Sequence, residues 1–170
     1  GYMTNFKDCF GFISFVKKFF VENNCENLQV KTDLTSYAKI EEISIYPIKS
    51  CGSFNVNQWK FGSKGLLFDR EWALVNTSTK RALSAKTEPN LLLISPSLDL
   101  KENILTITAP RKEKLVISIM ENDIKMDSTV DFRVCGDSVT ASGYNETTNS
   151  WFSDYLGYSV KLVRMGNSSA

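Results

Sequence analysis

From Lys39 onward the apolar pattern changes to that of strands, with turn-forming residues every eight to twelve positions. That pattern restricts this part of the chain to short, half-buried strands, as in an all-β barrel or sandwich. In the first expected strand Ile43 and Ile45 alternate with Glu42, Ser44 and Tyr46, and Pro47 closes the run. Further strands are expected at 54–61, 72–76, 81–84, 91–95, 104–109, 115–120, 131–135, 138–143 and 159–165. One later segment has helical spacing: 147–156 carries Trp151, Phe152, Tyr155 and Leu156, with Gly157 as a C-terminal stop. The expected fold is mainly β, a barrel domain over 39–166 with one short C-terminal helix and a tail at 167–170. No repeat period is visible, which excludes a solenoid.

Before Lys39 the pattern is different. Phe6, Cys9, Phe10, Ile13, Val16 and Phe20 form a helical stripe behind Thr4, a suitable N-cap, so a helix is expected within 1–22. Phe12, Phe15 and Phe19 add a second apolar row, which suits a helix packed between other elements; a membrane-lying anchor with Lys17 and Lys18 at the headgroups is the alternative. The polar stretch 23–38 reads as a linker. No apolar run approaches the roughly 18 residues of a membrane span.

The 170 residues contain no histidine, which removes the Ser-His-Asp and Cys-His arrangements and His-ligated zinc together. Twenty basic and nineteen acidic side chains leave a net charge of +1, so no global field recruits nucleic acid or an anionic membrane. Any anion site must be local. Cys9, Cys25, Cys51 and Cys135 are widely spread with no C-x-x-C pair, and reduced thiols in a cytoplasmic protein are expected. Cys51 and Cys135 are both expected as core fillers. Glu121, Asp123, Asp127 and Asp131 lack the spacing of a calcium loop and read as solvated.

Three polar groups carry the remaining chemistry. Tyr46-Pro47-Ile48-Lys49-Ser50-Cys51-Gly52 sets a cation, a hydroxyl and a thiol at a strand exit. Both a local phosphate site and a solvated turn fit that segment. Arg70, between Asp69 and Glu71, suits a structural ion pair and equally suits phosphate or a pterin edge. Ser84 and Lys86 belong to a third polar turn, Ser84-Ala85-Lys86-Thr87-Glu88-Pro89.

In this order and spacing, YPIKSC, GLLFDREWALVN and SAKTEPNLLLI closely resemble the N-terminal β-barrel that precedes the MOSC domain in molybdenum cofactor sulfurases. Mitochondrial amidoxime-reducing components share that barrel, and a barrel of that kind is the alternative. The resemblance continues through FRVCGDSV and SWFSDYLG to KLVRM. The first residues, GYMTNFKDCFGFISFVKKFF, resemble the last segment of the aminotransferase-like cysteine desulfurase domain of the sulfurases. The resemblance implies a fragment holding the end of that domain, a linker and the barrel, inactive alone.

It further implies an enzyme that takes sulfur from L-cysteine on a pyridoxal phosphate domain, lying upstream of this chain. The sulfur passes to the molybdenum cofactor, activating xanthine dehydrogenase and aldehyde oxidase. The barrel would share a molybdopterin pocket with the MOSC domain. The family's Lys-Ser pair and its DR-x-W arginine, which approach the molybdopterin phosphate, match Lys49, Ser50 and Arg70; Ser84 and Lys86 are further candidates. A persulfide role for Cys51 is disfavoured. Two other classes remain: a nucleic-acid-binding barrel using Phe54, Trp59, Phe61 and Trp72 as a stacking platform, and a structural spacer between catalytic domains.

Overall fold

The computed structural model describes residues 40–120 and 128–165. The expected N-terminal helix, linker, tail and most of the acidic stretch lie outside them.

Twelve strands and one helix follow in chain order among the described residues. They are β1 (Ile43–Ile45), β2 (Phe54–Val56), β3 (Phe61–Gly62), β4 (Gly65–Leu66), β5 (Trp72–Asn76), β6 (Arg81–Ala82), β7 (Ser95–Asp99), β8 (Ile104–Thr108), β9 (Leu115–Ser118), β10 (Ser128–Val134), β11 (Asp137–Gly143), α1 (Glu146–Leu156) and β12 (Val160–Arg164). Five strands close a barrel in the order β10-β11-β12-β5-β6. β5 reads Trp-Ala-Leu-Val-Asn and is buried almost throughout, because β12 pairs along one side and β6 along the other. The ring is completed by a parallel bridge between Arg133 of β10 and Arg81 of β6. A separate meander, β7-β8-β9, and two small hairpins, β1-β2 and β3-β4, complete the β structure.

The main core joins the barrel, the meander and the helix through residues such as Trp72, Leu74, Leu105, Ile107, Phe152 and Leu162. Burying a side chain of this size contributes about 1.5–3 kcal/mol. The indole of Trp72 donates to Tyr144 Oη at 2.7 Å, so its polar edge is satisfied inside. α1 starts at Asn145, whose side chain accepts from the Thr148 amide, and ends at Gly157 in the left-handed region (φ 80°). Buried Asn149 attaches it to the sheet, donating to the Tyr144 carbonyl at 2.8 Å and accepting from the Leu162 amide at 2.9 Å.

Three expectations need correction. Residues 91–95 do not form a strand: Pro89–Leu93 is a 3-10 turn capped by Glu88, and the strand starts at Ser95. Pro89 presets the first turn, and Leu91 alone of its three leucines is buried. The expected strand at 54–61 is two short strands, β2 and β3, with β3 turning back into β4. Cys135 is exposed rather than core. It forms with Gly136 the two-residue loop of the β10–β11 hairpin, and both have positive φ (51° and 101°), the backbone of a primed hairpin turn.

Candidate functional site

The first two motifs lie side by side as a short parallel ladder centred on Ile48 and Trp72. The Arg70 amide donates to the Tyr46 carbonyl at 2.7 Å, Trp72 to Pro47 at 3.0 Å, and Lys49 to Trp72 at 2.8 Å. The Asp69 carboxylate also accepts from the Tyr46 amide at 2.9 Å. Pro47 has no amide to donate, so it contributes only its carbonyl here. Gly52 then donates to the Ile94 carbonyl at 2.8 Å, and a Cβ at this position would stand 3.0 Å from that oxygen. The motif therefore needs glycine for a close backbone approach.

Ser50 (φ 65°), Phe68 (φ 60°) and Arg70 (φ 53°) all occupy the left-handed region. Such a backbone costs an ordinary residue about 1–2 kcal/mol. Three instances in two adjoining segments mean that the surrounding hydrogen bonds hold a shape the sequence would not adopt locally. The Arg70 guanidinium pairs with Asp69 and lies over the Tyr46 ring, 4.7 Å from its centre. Both partners of the ion pair keep 15% of their side-chain exposure.

Lys49 reaches the third motif. Its Nζ donates to the Leu83 carbonyl at 2.9 Å, just before the turn formed when the Thr87 and Glu88 amides donate to the Ser84 carbonyl. Beside it lies a cleft of about 610 Å³, within the range of small-molecule sites. Lys49, Arg81, Ser84, Glu88, Arg133 and Tyr158 contribute to its lining. Three cations thus face one carboxylate. Glu88 Oε1 accepts from the Asn90 amide at 3.3 Å and Oε2 from the Tyr158 hydroxyl at 3.0 Å. Tyr158 is pushed up to about 12, first by burial and then by the hydrogen bond and charge of Glu88.

Of the five candidate residues, Lys49 and Ser84 share the cleft lining. Ser50 and Arg70 adjoin Lys49 through the backbone ladder but do not line the cleft, and Lys86 is an exposed turn residue outside it. Arg81 and Arg133 escaped the sequence reading because only barrel closure brings them together.

Arg164 was also missed. It is 6% exposed, donates through Nε to Glu71 at 2.6 Å and through Nη1 to the Ile119 carbonyl at 2.7 Å, and lies over the rings of Phe68 and Trp72. Cys51 is a core thiol, as expected, and burial pushes its pKa far up against a smaller opposing pull from Lys49. Of the four aromatics weighed as a stacking platform, Trp72 is fully buried, Phe54 and Trp59 pack edge to face at 5.4 Å, and Phe61 is exposed. Among the described residues no cluster of acidic or cysteine side chains could hold a metal ion, and no helix is long and apolar enough to cross a membrane.

A small closed barrel with an appended meander, a helix against β12 and a cationic cleft at its seam defines a class of β-barrel domain. Residues 37–159 match the family model of the MOSC N-terminal beta barrel domain. The chain belongs to that family. It is 35% identical over its whole length to molybdenum cofactor sulfurase of Neosartorya fischeri, and 33% to that of Aspergillus niger, spanning 23% of each. It is also 36% identical to human molybdenum cofactor sulfurase over 76% of this chain and 14% of the human one. The chain therefore spans under a quarter of these relatives' length. A Bordetella bronchiseptica protein solved in solution shares the fold, with TM-score 0.52 and 21% identity over 71% of this chain and 86% of that one.

Proposed function

We propose that this barrel is part of a molybdenum cofactor sulfurase and supplies one wall of the pocket that holds the phosphate end of molybdopterin. The observation that carries the reading is the convergence at Lys49: its amide joins the Arg70 motif and its Nζ joins the Ser84 turn. Three segments far apart in sequence thus meet around one cation. By residue type the three segments suit a phosphate, with Lys49 and Ser84 in the cleft and Ser50 and Arg70 on the ladder beside it. Lys49 supplies a point charge, Ser50 and Ser84 supply hydroxyls, and Arg70 a guanidinium whose fixed fork of donors suits an oxyanion. Lys86 is the weakest member, since a solvated turn accounts for it.

In the whole protein, sulfur from L-cysteine would be mobilised on an upstream pyridoxal phosphate domain and transferred to the cofactor's molybdenum, activating xanthine dehydrogenase and aldehyde oxidase. The downstream MOSC domain would supply the other wall. The role of the described residues is to bind and orient the cofactor substrate, not to carry out the transfer. Cys51 is unsuited to relaying sulfur, because burial disfavours its thiolate.

The test is molybdopterin affinity of the full-length protein carrying Lys49→Met or Arg70→Met. A hydrogen bond to a charged group contributes about 1.5–3 kcal/mol, so each change is expected to weaken binding about ten- to a hundredfold. Unchanged dissociation constants for both would refute the reading and leave the barrel as a spacer between catalytic domains.

A further inference from the structure

Arg81 and Arg133 are Cα partners across the bridge that closes the barrel. Neighbours in register project from the same face of a sheet. Phe132 and Val134, on either side of Arg133, are buried, so this face is the outer one. Both arginines are exposed, and both line the cleft that Lys49 and Ser84 also line. Like charges set directly opposite each other destabilise a sheet. Among the described residues neither arginine has an ion-pair or hydrogen-bonding partner for its side chain, whereas Arg70 and Arg164 each have a carboxylate. The one carboxylate that lines the cleft, Glu88, accepts from the Asn90 amide and the Tyr158 hydroxyl, so no direct ion pair within the described residues offsets the juxtaposition.

The geometry points to a seat for a phosphate group of a small molecule between Arg81 and Arg133, at the seam of the barrel. Arginines at facing register positions offer planar guanidinium forks, which match the several acceptor oxygens of a phosphate better than any neutral or cationic group. Lys49 adds a third positive charge to the cleft, and Thr79, Ser84, Thr87 and Tyr158 line it with hydroxyls. The inference goes beyond the cofactor reading, because it rests on two arginines that reading does not use.

The probe is inorganic pyrophosphate, titrated into the 170-residue chain and followed through the arginine Nε–Hε resonances. Those of Arg81 and Arg133 should shift together and saturate. The double variant Arg81→Gln with Arg133→Gln should weaken binding tenfold or more. Removing two exposed cations elsewhere, Lys101→Gln with Lys114→Gln, should change it less than twofold; neither lines the cleft. The melting temperature without ligand should stay level or rise in the arginine variant, because repulsion is relieved, while the pyrophosphate-dependent rise should disappear. Binding by the arginine variant within twofold of the parent, or an equal loss in the lysine control, would overturn the seat. This readout involves no change at Lys49 or Arg70, so its failure is separable from failure of the cofactor reading. Molybdopterin added to the pyrophosphate-saturated full-length protein, which carries both walls of the proposed pocket, identifies the source of the phosphate. Displacement marks the outer end of the cofactor pocket, and simultaneous binding marks a separate phosphorylated ligand.

Discussion

Replacing Arg164 with methionine should be among the most damaging single changes in the barrel, and its cost can be worked from what the side chain touches. The guanidinium is almost fully buried and forms a 2.6 Å pair with Glu71, which is 23% exposed. It also satisfies the Ile119 carbonyl beyond the end of β9. Removing one partner of a fully buried pair costs about 3–5 kcal/mol. The residual exposure of Glu71 lets water reach the stranded carboxylate and lowers that share to about 2–3 kcal/mol. An unmet Ile119 carbonyl adds about 1 kcal/mol, the low end for a buried acceptor. Methionine returns some of this by keeping contact with Phe68 and Trp72. A net loss of about 3 kcal/mol lowers the melting temperature by roughly 10 °C in a domain of this size. Calorimetry or thermal circular dichroism on the single variants and on the double variant Glu71→Met with Arg164→Met checks the reasoning. The double variant should be more stable than Arg164→Met alone, because no charge is left stranded. A double variant as unstable as the sum of the two singles would refute the ion-pair account. The same experiment bears on the site, since Glu71 adjoins Arg70; its backbone carbonyl, which the substitution leaves in place, accepts from the Met165 amide at 2.8 Å.

Two further outcomes follow from titratable groups. Because Tyr158 is raised to about 12 from an ordinary 10, its neutral form stabilises the fold below about pH 10, and that contribution is lost as pH rises through about 12; Glu88→Gln should bring the phenol transition, read by ultraviolet absorbance, back toward 10. Buried Cys51, its thiol pushed up by desolvation, should resist alkylation in the native chain, while exposed Cys135 reacts; peptide mapping before and after denaturation checks this, and early labelling of Cys51 would contradict its place in the core.

The elements legible in the sequence are the strand-length apolar segments bounded by turn residues and the one segment with helical spacing. β8 and β11 alternate, β5 and β12 are buried almost throughout, and all four with α1 fall where they were expected, α1 keeping its stop at Gly157. β7 was hidden because Ser-Pro-Ser-Leu-Asp places only Pro96 and Leu98 inward. The adjoining leucines looked more strand-like, since an unbroken apolar run has no period to separate a strand from a turn of helix. Proline is tolerated in β7 because that strand lies at the edge of its sheet. Cys135 was misplaced because its fate depends on hairpin geometry: a cysteine before glycine reads as core until the two strands fix a two-residue loop.

The candidate site was legible only so far as its residues are local. Lys49, Ser50 and Arg70 stand in short motifs, and their resemblance to a known barrel could be read directly. The role of Arg70 as an ion pair was equally visible, because its partner Asp69 is the preceding residue. Arg81 and Arg133 have no such local sign. One lies between Lys80 and Ala82, the other between Phe132 and Val134, so neither has a carboxylate beside it in sequence. The structure then divides the cations by use. Arg70 and Arg164 are matched to acids and hold the loop around Trp72, while the seam arginines are left facing the cleft. A net charge of +1 conceals that division, because the acids that balance the total lie elsewhere. Which cations keep an internal partner is therefore a property of strand pairing rather than of composition.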